Sequence, residues 1–201
     1  MMVHPAARKE WEIWQEAMRA DPRRAIPADR PGLWWVAHTR PRNEKALALD
    51  LRARGVFWYL PLYLRTTRSK ATGRISRSIM PVFPGYVFFQ GDEAQRQLVL
   101  TTNRIANTLA VHHQLQLIGE LRQIQRVLAT QTDFHWEPTI EVGQWARVIA
   151  GPLAGTEGIV CRRMSQMRLA LNVRMLSQSV VVEVSRDRLE RIEAPSYAVG
   201  R

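Results

Sequence analysis

The chain has 201 residues, of which 46% are hydrophobic, so it can bury a core and should hold one or two folded domains. Its 29 Lys and Arg residues outnumber its 18 Asp and Glu residues, and the net charge of +11 favours a polyanionic partner. No apolar run reaches the ~18 residues of a membrane-spanning helix, and residues 1–30 lack the apolar stretch of a signal peptide. We therefore expect a cytoplasmic protein without a membrane partner. The single cysteine, Cys161, excludes intramolecular disulfides and cysteine zinc sites.

Residues 1–32 are predicted to form an N-terminal extension. Trp11, Trp14 and Met18 recur at helical spacing, and a proline-rich loop follows them. This pattern indicates one short amphipathic helix and a tether. Packing of the tryptophans on the body of the protein is favoured over a docking peptide for a partner.

Residues 33–129 mix strand and helix patterns. Asn43 and Asp92 stand where helices begin, Gly55 stands where the first one ends, and Asp92 with Gln95 forms a capping-box sequence. The predicted strands cover residues 33–37, 56–64, 75–90 and 105–111. A further amphipathic helix is indicated by Leu117, Leu121, Ile124 and Leu128. Three helices that each bury one stripe predict an α+β fold, with an antiparallel sheet and flanking helices.

The rest of the chain is predicted to be a linker, a small barrel and a tail. Periodicity stops over residues 130–140, which we interpret as an interdomain linker. Residues 141–193 show short alternating strands, among them one with Leu169, Leu171 and Val173. Such strands must close on themselves to hide their edges, which predicts an all-β, SH3-like barrel. Residues 194–201 are interpreted as a tail.

A cluster of cations lies on the tip between the two strands of a predicted hairpin, with Gly73 at the turn and no acidic residue among them. A solvated tip is one interpretation, and proximity to nucleic acid is the other, because uncompensated cations on a protruding ribbon suit phosphate contacts. The cluster consists of Arg65, Arg68, Lys70, Arg74 and Arg77.

Two short strings carry the most specific information, FPGYVFF at residues 83–89 and GPLAGTEG at residues 151–158. Together with a Trp-Trp strand, Arg-Pro-Arg at residues 40–42 and Leu-Pro-Leu at residues 60–62, they resemble the NusG family of transcription elongation factors. The resemblance spans residues 33–192. It implies a NusG N-terminal (NGN) domain at residues 33–129 and a KOW domain at residues 141–193. Within the family, the chain is most similar to specialised paralogues of the RfaH and UpxY type.

The resemblance implies a contact with RNA polymerase. In NusG-like N-terminal domains, aromatic residues beside the Phe-Pro-Gly-Tyr string help form an apolar pocket for the clamp helices of the polymerase. The strand alternation places Tyr86 and Phe88 on one face, so one aromatic pair can join the core while the other is presented to a partner. A Thr-Thr pair resembles a segment that touches the opposite side of the polymerase cleft, and an ordinary helix C-terminus is its alternative. The implied contact residues are His38, Phe83, Tyr86, Phe88, Thr101 and Thr102.

The second string matches the KOW motif, whose glycines are structural. Housekeeping relatives continue with a Phe-Gly-Arg turn that docks the termination factor Rho or a small-subunit ribosomal protein. This chain has Leu176-Ser177-Gln178 instead, so Leu176 takes the position of a partner contact. We expect a constitutive barrel on a flexible tether, because its valines and its loop proline disfavour a helix. The motif residues are Gly143, Val148, Gly151, Pro152, Gly155 and Gly158.

The implied function is non-enzymatic. A monomer would bind across the polymerase cleft near DNA or nascent RNA, suppress pausing or termination, and recruit a second partner through the barrel. Two alternatives stay open: a housekeeping NusG that couples to Rho or the ribosome, and a ribosome-associated or RNA-binding KOW protein.

The sequence offers no site for catalysis, a cofactor or a metal. No phosphate-cradling loop, paired carboxylate site or nucleophile elbow is visible. His112 and His113, expected side by side on a strand, would point to opposite faces and could not hold one metal.

Overall fold

The computed structural model describes residues 12–14, 26–27, 30–130, 133–138, 143–163 and 166–199. Contacts divide the chain into two compact units. The N-terminal unit comprises Met1–Ala25 and Arg30–Ala110, and the C-terminal unit comprises Ile26–Asp29 and Val111–Arg201. Every helix in the described ranges is too short or too polar to span a bilayer.

The N-terminal unit has a four-stranded sheet in the order β2-β5-β1-β6 and a separate two-stranded ribbon, β3-β4. All of the neighbouring strands are antiparallel. The elements are β1 (Leu33–Thr39), α1 (Glu44–Ala53), β2 (Phe57–Tyr59), β3 (Leu62–Arg68), β4 (Ile75–Pro81), β5 (Tyr86–Gly91), α2 (Glu93–Leu100) and β6 (Ile105–Ala110).

The ends of α1 and α2 follow the predicted signals, with one difference. Asp92 and Gln95 form a reciprocal capping box at the start of α2. Gly55, just beyond the end of α1, has φ +69°, a conformation that glycine adopts without a Cβ penalty. Asn43 precedes α1 as predicted, but its side chain makes no capping bond and donates to the carbonyl of Pro41 at 3.0 Å.

One face of the four-stranded sheet packs beneath the two helices. Val87 and Phe89 of β5 join a core that includes Leu47 and Leu51 of α1. Trp14 belongs to the same core and meets Trp58 edge to face, with 6.4 Å between the ring centroids. Trp14 therefore packs on the body of the protein, whereas Trp11 and Met18 lie outside the described residues.

The described residues of the C-terminal unit form one α-helix and a six-stranded antiparallel sheet in the order β12-β8-β9-β10-β11-β7. This confirms the predicted fold class of an α+β part with an antiparallel sheet, followed by an all-strand part. The elements are α3 (Gln114–Ala129), β7 (Phe134–Pro138), β8 (Gln144–Val148), β9 (Glu157–Arg163), β10 (Gln166–Val173), β11 (Gln178–Glu183) and β12 (Leu189–Arg191).

The structure differs from the sequence predictions around this sheet. The segment interpreted as a linker contains β7, which pairs with β11, and α3 groups with the C-terminal strands. In the segment interpreted as a tail, the amide of Ala198 donates to the carbonyl of Pro195 at 2.8 Å, and Ala198 is buried. His112 and His113 precede α3 in a loop and not on a strand. The pairing of β7 with β11 is a long-range contact, which local periodicity does not record.

Gly158 is a position in β9 where the fold has no room for a side chain. A Cβ atom there would lie 2.5 Å from the carbonyl oxygen of Ala170 on the neighbouring strand. We expect Gly158→Ala to lower the free energy of unfolding by roughly 2 kcal/mol, because backbone must move to admit the methyl group. Urea denaturation monitored by circular dichroism measures this change.

Gly155→Ala is the matched control for Gly158→Ala. Gly155 has φ +81°, but its nearest neighbour to an added Cβ is the end of a flexible side chain, Nη1 of Arg126 at 3.5 Å. We expect Gly155→Ala to lower the free energy of unfolding by about 1 kcal/mol, which is the cost of backbone strain. A loss at Gly158 no larger than at Gly155 would contradict the steric explanation.

Candidate functional site

An exposed histidine and a half-buried tyrosine form a pair on the sheet of the N-terminal unit. The register of β1 with β5 places His38 directly opposite Tyr86. Their rings are stacked, with 5.2 Å between centroids and 24° between planes. We call these two residues the aromatic pair. The imidazole is exposed and the phenol ring is partly exposed.

The turn before Tyr86 is fixed by a buried carboxylate. The Gly85 amide donates to Oε1 of Glu44 at 2.7 Å, and the Gly85 carbonyl accepts from the Thr39 amide at 2.7 Å. Gly85 has φ +86°, a conformation that few other residues adopt. Glu44 lies in the first turn of α1, where a negative charge is favoured. The sequence prediction missed Glu44, although an acid just after a helix start was the available signal.

Phe83 and Phe88 lie in the interior of the protein. Both side chains are fully buried, and their rings meet edge to face at 6.2 Å between centroids. The ring of Tyr59 lies 6.4 Å from that of Phe88. The sequence-based interpretation that Phe88 could be presented beside Tyr86 therefore does not fit this structure, because the face they share is buried at Phe88 and open only at Tyr86.

The two threonines after α2 act as helix-terminating residues. Thr101 donates its hydroxyl to the carbonyl of Leu98 at 2.8 Å, and Thr102 donates to that of Val99 at 2.7 Å. Thr101 also accepts a hydrogen bond from Nη1 of Arg54 at 2.9 Å. These bonds satisfy carbonyls at the end of α2, which is the ordinary role of such a terminus.

The predicted cationic tip is the β3-β4 ribbon, and all five of its cations are exposed. Arg68 faces Ile75 across the ribbon, and Arg77 faces Thr66. Arg68 and Arg77 therefore share one side of the ribbon, and Arg65 lies on the other. Residues 51–91 contain no Asp or Glu, so no acid from this whole segment can offset the charge. We call this element the cationic ribbon.

The KOW-like string forms a tight loop between β8 and β9. Gly151 and Gly155 have φ +84° and +81°, and the Gly155 amide donates to the Val148 carbonyl at 2.7 Å. Gly143 has φ +151°, and Pro152 is exposed within the loop.

Leu176, which the sequence prediction placed at a partner contact, is 8% exposed and lies in a single helical turn before β11. Little of its side chain is available to a partner in this structure.

The candidate residues do not form one catalytic centre. His38 and Tyr86 come together, the five cations share one ribbon, and the KOW-like residues form a loop in the other unit. Within the described residues, no group of three His, Cys, Asp or Glu side chains could hold a metal ion.

Comparisons with known proteins find a similarity for the N-terminal part of the chain. Residues 32–128, just under half of the chain, match the family described as NusG: Transcription termination factor nusG. No curated protein matches the chain.

One solved structure, described as the crystal structure of an MjSpt4:Spt5 complex in conformation B, is 15% identical to this chain. The similarity covers 81% of this chain and 98% of that one, with a TM-score of 0.28. A TM-score this low supports no inference about the arrangement of the chain.

The Glu44 carboxylate should stabilise the turn that carries the aromatic pair. Glu44→Ala removes the acceptor of the Gly85 amide and is expected to lower the free energy of unfolding by about 1–3 kcal/mol. Glu44→Gln keeps an acceptor and should cost clearly less. Denaturant titration of both variants compares the two losses, and equal losses would show that the hydrogen bond is not the cause.

Proposed function

We propose that this protein is a transcription elongation factor whose N-terminal unit binds the clamp helices of RNA polymerase. The observation that carries this proposal is the stacked, accessible pair of His38 and Tyr86 within the segment that matches the NusG family. A pre-organised aromatic surface loses little entropy on binding, which suits it to anchor a helix. Binding across the cleft would favour the closed clamp and suppress pausing or termination.

The cationic ribbon suits a second contact, with DNA or nascent RNA in the elongation complex. Residues 1–110 carry 18 basic and 9 acidic side chains, whereas residues 111–201 carry 11 and 9. The excess charge therefore lies in the part of the chain that would bind polymerase. This distribution favours the elongation-factor proposal over a protein that binds RNA through a KOW barrel alone.

The C-terminal sheet is proposed to recruit a second partner. Its KOW-like loop supports a KOW domain, and Rho and a small-subunit ribosomal protein are the candidates that the family resemblance offers. The buried position of Leu176 favours neither candidate. The absence of the Phe-Gly-Arg turn supports a specialised paralogue over a housekeeping NusG.

Tyr86→Ala should weaken binding to core RNA polymerase by about thirtyfold, because truncation of an interface aromatic typically costs ~2 kcal/mol. Surface plasmon resonance with the immobilised polymerase measures the change. Leu115→Ala is the control, since Leu115 is 72% exposed on α3 and lies in the other unit. Wild-type affinity in Tyr86→Ala, with unchanged thermal unfolding, would remove the aromatic pair from the proposal.

Charge on the ribbon should set the salt dependence of binding to a complete elongation complex. Log affinity falls as log salt rises, and replacing Arg68, Lys70 and Arg77 with Gln is expected to make this slope less steep by about 2. Each phosphate contact contributes roughly 0.7–0.9 to the steepness. Binding to polymerase without nucleic acid should keep its slope.

A variant that loses the same charge elsewhere controls for net charge. Arg186, Arg188 and Arg191 are exposed in the C-terminal unit, and their replacement with Gln removes three charges as well. An equal change of slope in the two triple variants would show that the ribbon is merely solvated.

A further inference from the structure

One side of α3 is held to the C-terminal sheet by polar side chains. Oε2 of Glu120 accepts from the Arg174 amide at 3.2 Å, and Oε1 of Gln123 accepts from the Glu157 amide at 3.0 Å. One turn further, Arg126 donates to the carbonyl of Gly155. Steps of three residues place these side chains along one side of the helix. All three partners are backbone groups, in the turn before β11, in β9 and in the KOW-like loop.

A tyrosine near the end of the described chain packs on the same side of α3. A Cβ atom on Gly119 would lie 2.3 Å from Cγ of Tyr197, so the ring occupies the place of a side chain. Tyr197 also meets Trp145 of β8 edge to face, at 6.4 Å between centroids. Glycine is unfavourable inside a helix. At this position the lack of a side chain leaves room for the ring of Tyr197.

This polar side is distinct from the apolar stripe of α3. The stripe residues Leu117, Leu121 and Ile124 are almost completely buried, as the periodicity predicts. The stripe accounts for the amphipathic pattern of α3, and the polar contacts come in addition. They are a second set of contacts beside the packing of the stripe.

Glu120 makes these contacts sensitive to protonation. Its side chain is 7% exposed, and Oε1 accepts from Nε2 of Gln116 at 2.8 Å. The titratable groups that line the same small cavity are Glu157 of β9, Arg174 of the turn before β11, and Tyr197. Burial raises the pKa of Glu120 to about 7.

The direction of the pH effect follows from this raised pKa. A carboxyl group with a higher pKa in the contact than in water binds its proton more tightly when the contact is formed. The contact is thus strongest below the ordinary pKa of the group. It weakens as the pH rises through 7, because a buried carboxylate must then be kept from water.

We propose that Glu120, Gln123, Arg126 and Tyr197 form a reversible latch between α3 and the C-terminal sheet, and that the latch loosens when Glu120 loses its proton. In the closed state the latch occupies the Gly155 carbonyl and the Glu157 amide of the KOW-like loop. Any partner that needs these groups must displace α3. This proposal goes beyond the proposed function and does not depend on which partner the sheet binds.

Amide hydrogen exchange of the full chain, followed by nuclear magnetic resonance, tests the latch. The Glu157 and Arg174 amides should be protected when the latch is closed, and their protection should fall about tenfold from pH 6 to pH 8, after correction for intrinsic exchange. The Val148 amide, which donates to the Thr156 carbonyl at 2.9 Å, is the internal control and should not change.

Glu120→Gln should keep the protection and abolish its pH dependence. Glu190→Gln removes an exposed carboxyl group from the same unit and should respond to pH as the wild type does. A tenfold pH response that persists in Glu120→Gln, or no response in the wild type, would overturn the role of Glu120.

Gly119→Ala tests the packing of the Tyr197 ring against α3. Alanine favours the helix but blocks the ring, so protection of both amides should fall at least about tenfold while Val148 is unaffected. Tyr197→Ala removes the ring without adding an atom to α3, and it should have the same effect even if Gly119→Ala disturbs the whole unit. Wild-type protection at Glu157 and Arg174 in Tyr197→Ala would refute the latch.

Discussion

The pairing of β1 with strands on both of its sides fixes where the candidate side chains of the N-terminal unit stand. Its register with β5 sets His38 opposite Tyr86 and Val36 opposite Phe88. A slip by one residue would turn every β1 side chain to the other face of the sheet, so that His38 would enter the core beneath α1 and α2. The buried core and the exposed aromatic pair are therefore two consequences of one register, and neither can change alone.

The turn before β5 shows how a surface site depends on buried chemistry. The amide of Gly85 donates to Glu44, and its carbonyl accepts from Thr39. These two hydrogen bonds hold the turn that places Tyr86 beside His38. An uncompensated buried carboxylate would be costly, but the amide of Gly85 and the start of α1 both stabilise the charge of Glu44. The aromatic pair is held by this polar anchor as well as by apolar packing.

Local sequence signals predicted the elements of the fold, and long-range contacts decided the rest. The capping box of Asp92 and the stripe of α3 are properties of neighbouring residues, so they could be predicted. The alternation in β5 could place Phe88 on a face but could not show that this face is covered. The break in periodicity over residues 130–140 indicated a linker, yet Pro138 within it ends an edge strand, where a missing amide is tolerated. Gly119 had no local meaning without Tyr197, which lies 78 positions away in the chain.

The two sides of α3 bear on what counts as a domain in this protein. The helix falls within residues 32–128, which match the NusG family, yet its contacts group it with the C-terminal sheet. A boundary drawn at residue 130 from periodicity alone would separate Glu120 and Gln123 from the backbone amides that they satisfy. In the proposed latch, the polar contacts of α3 and its buried apolar stripe both hold the helix, and only the polar contacts include the ionisable Glu120. Each polar contact contributes little, so loss of the proton from Glu120 is expected to weaken the latch while the apolar packing of the stripe stays in place.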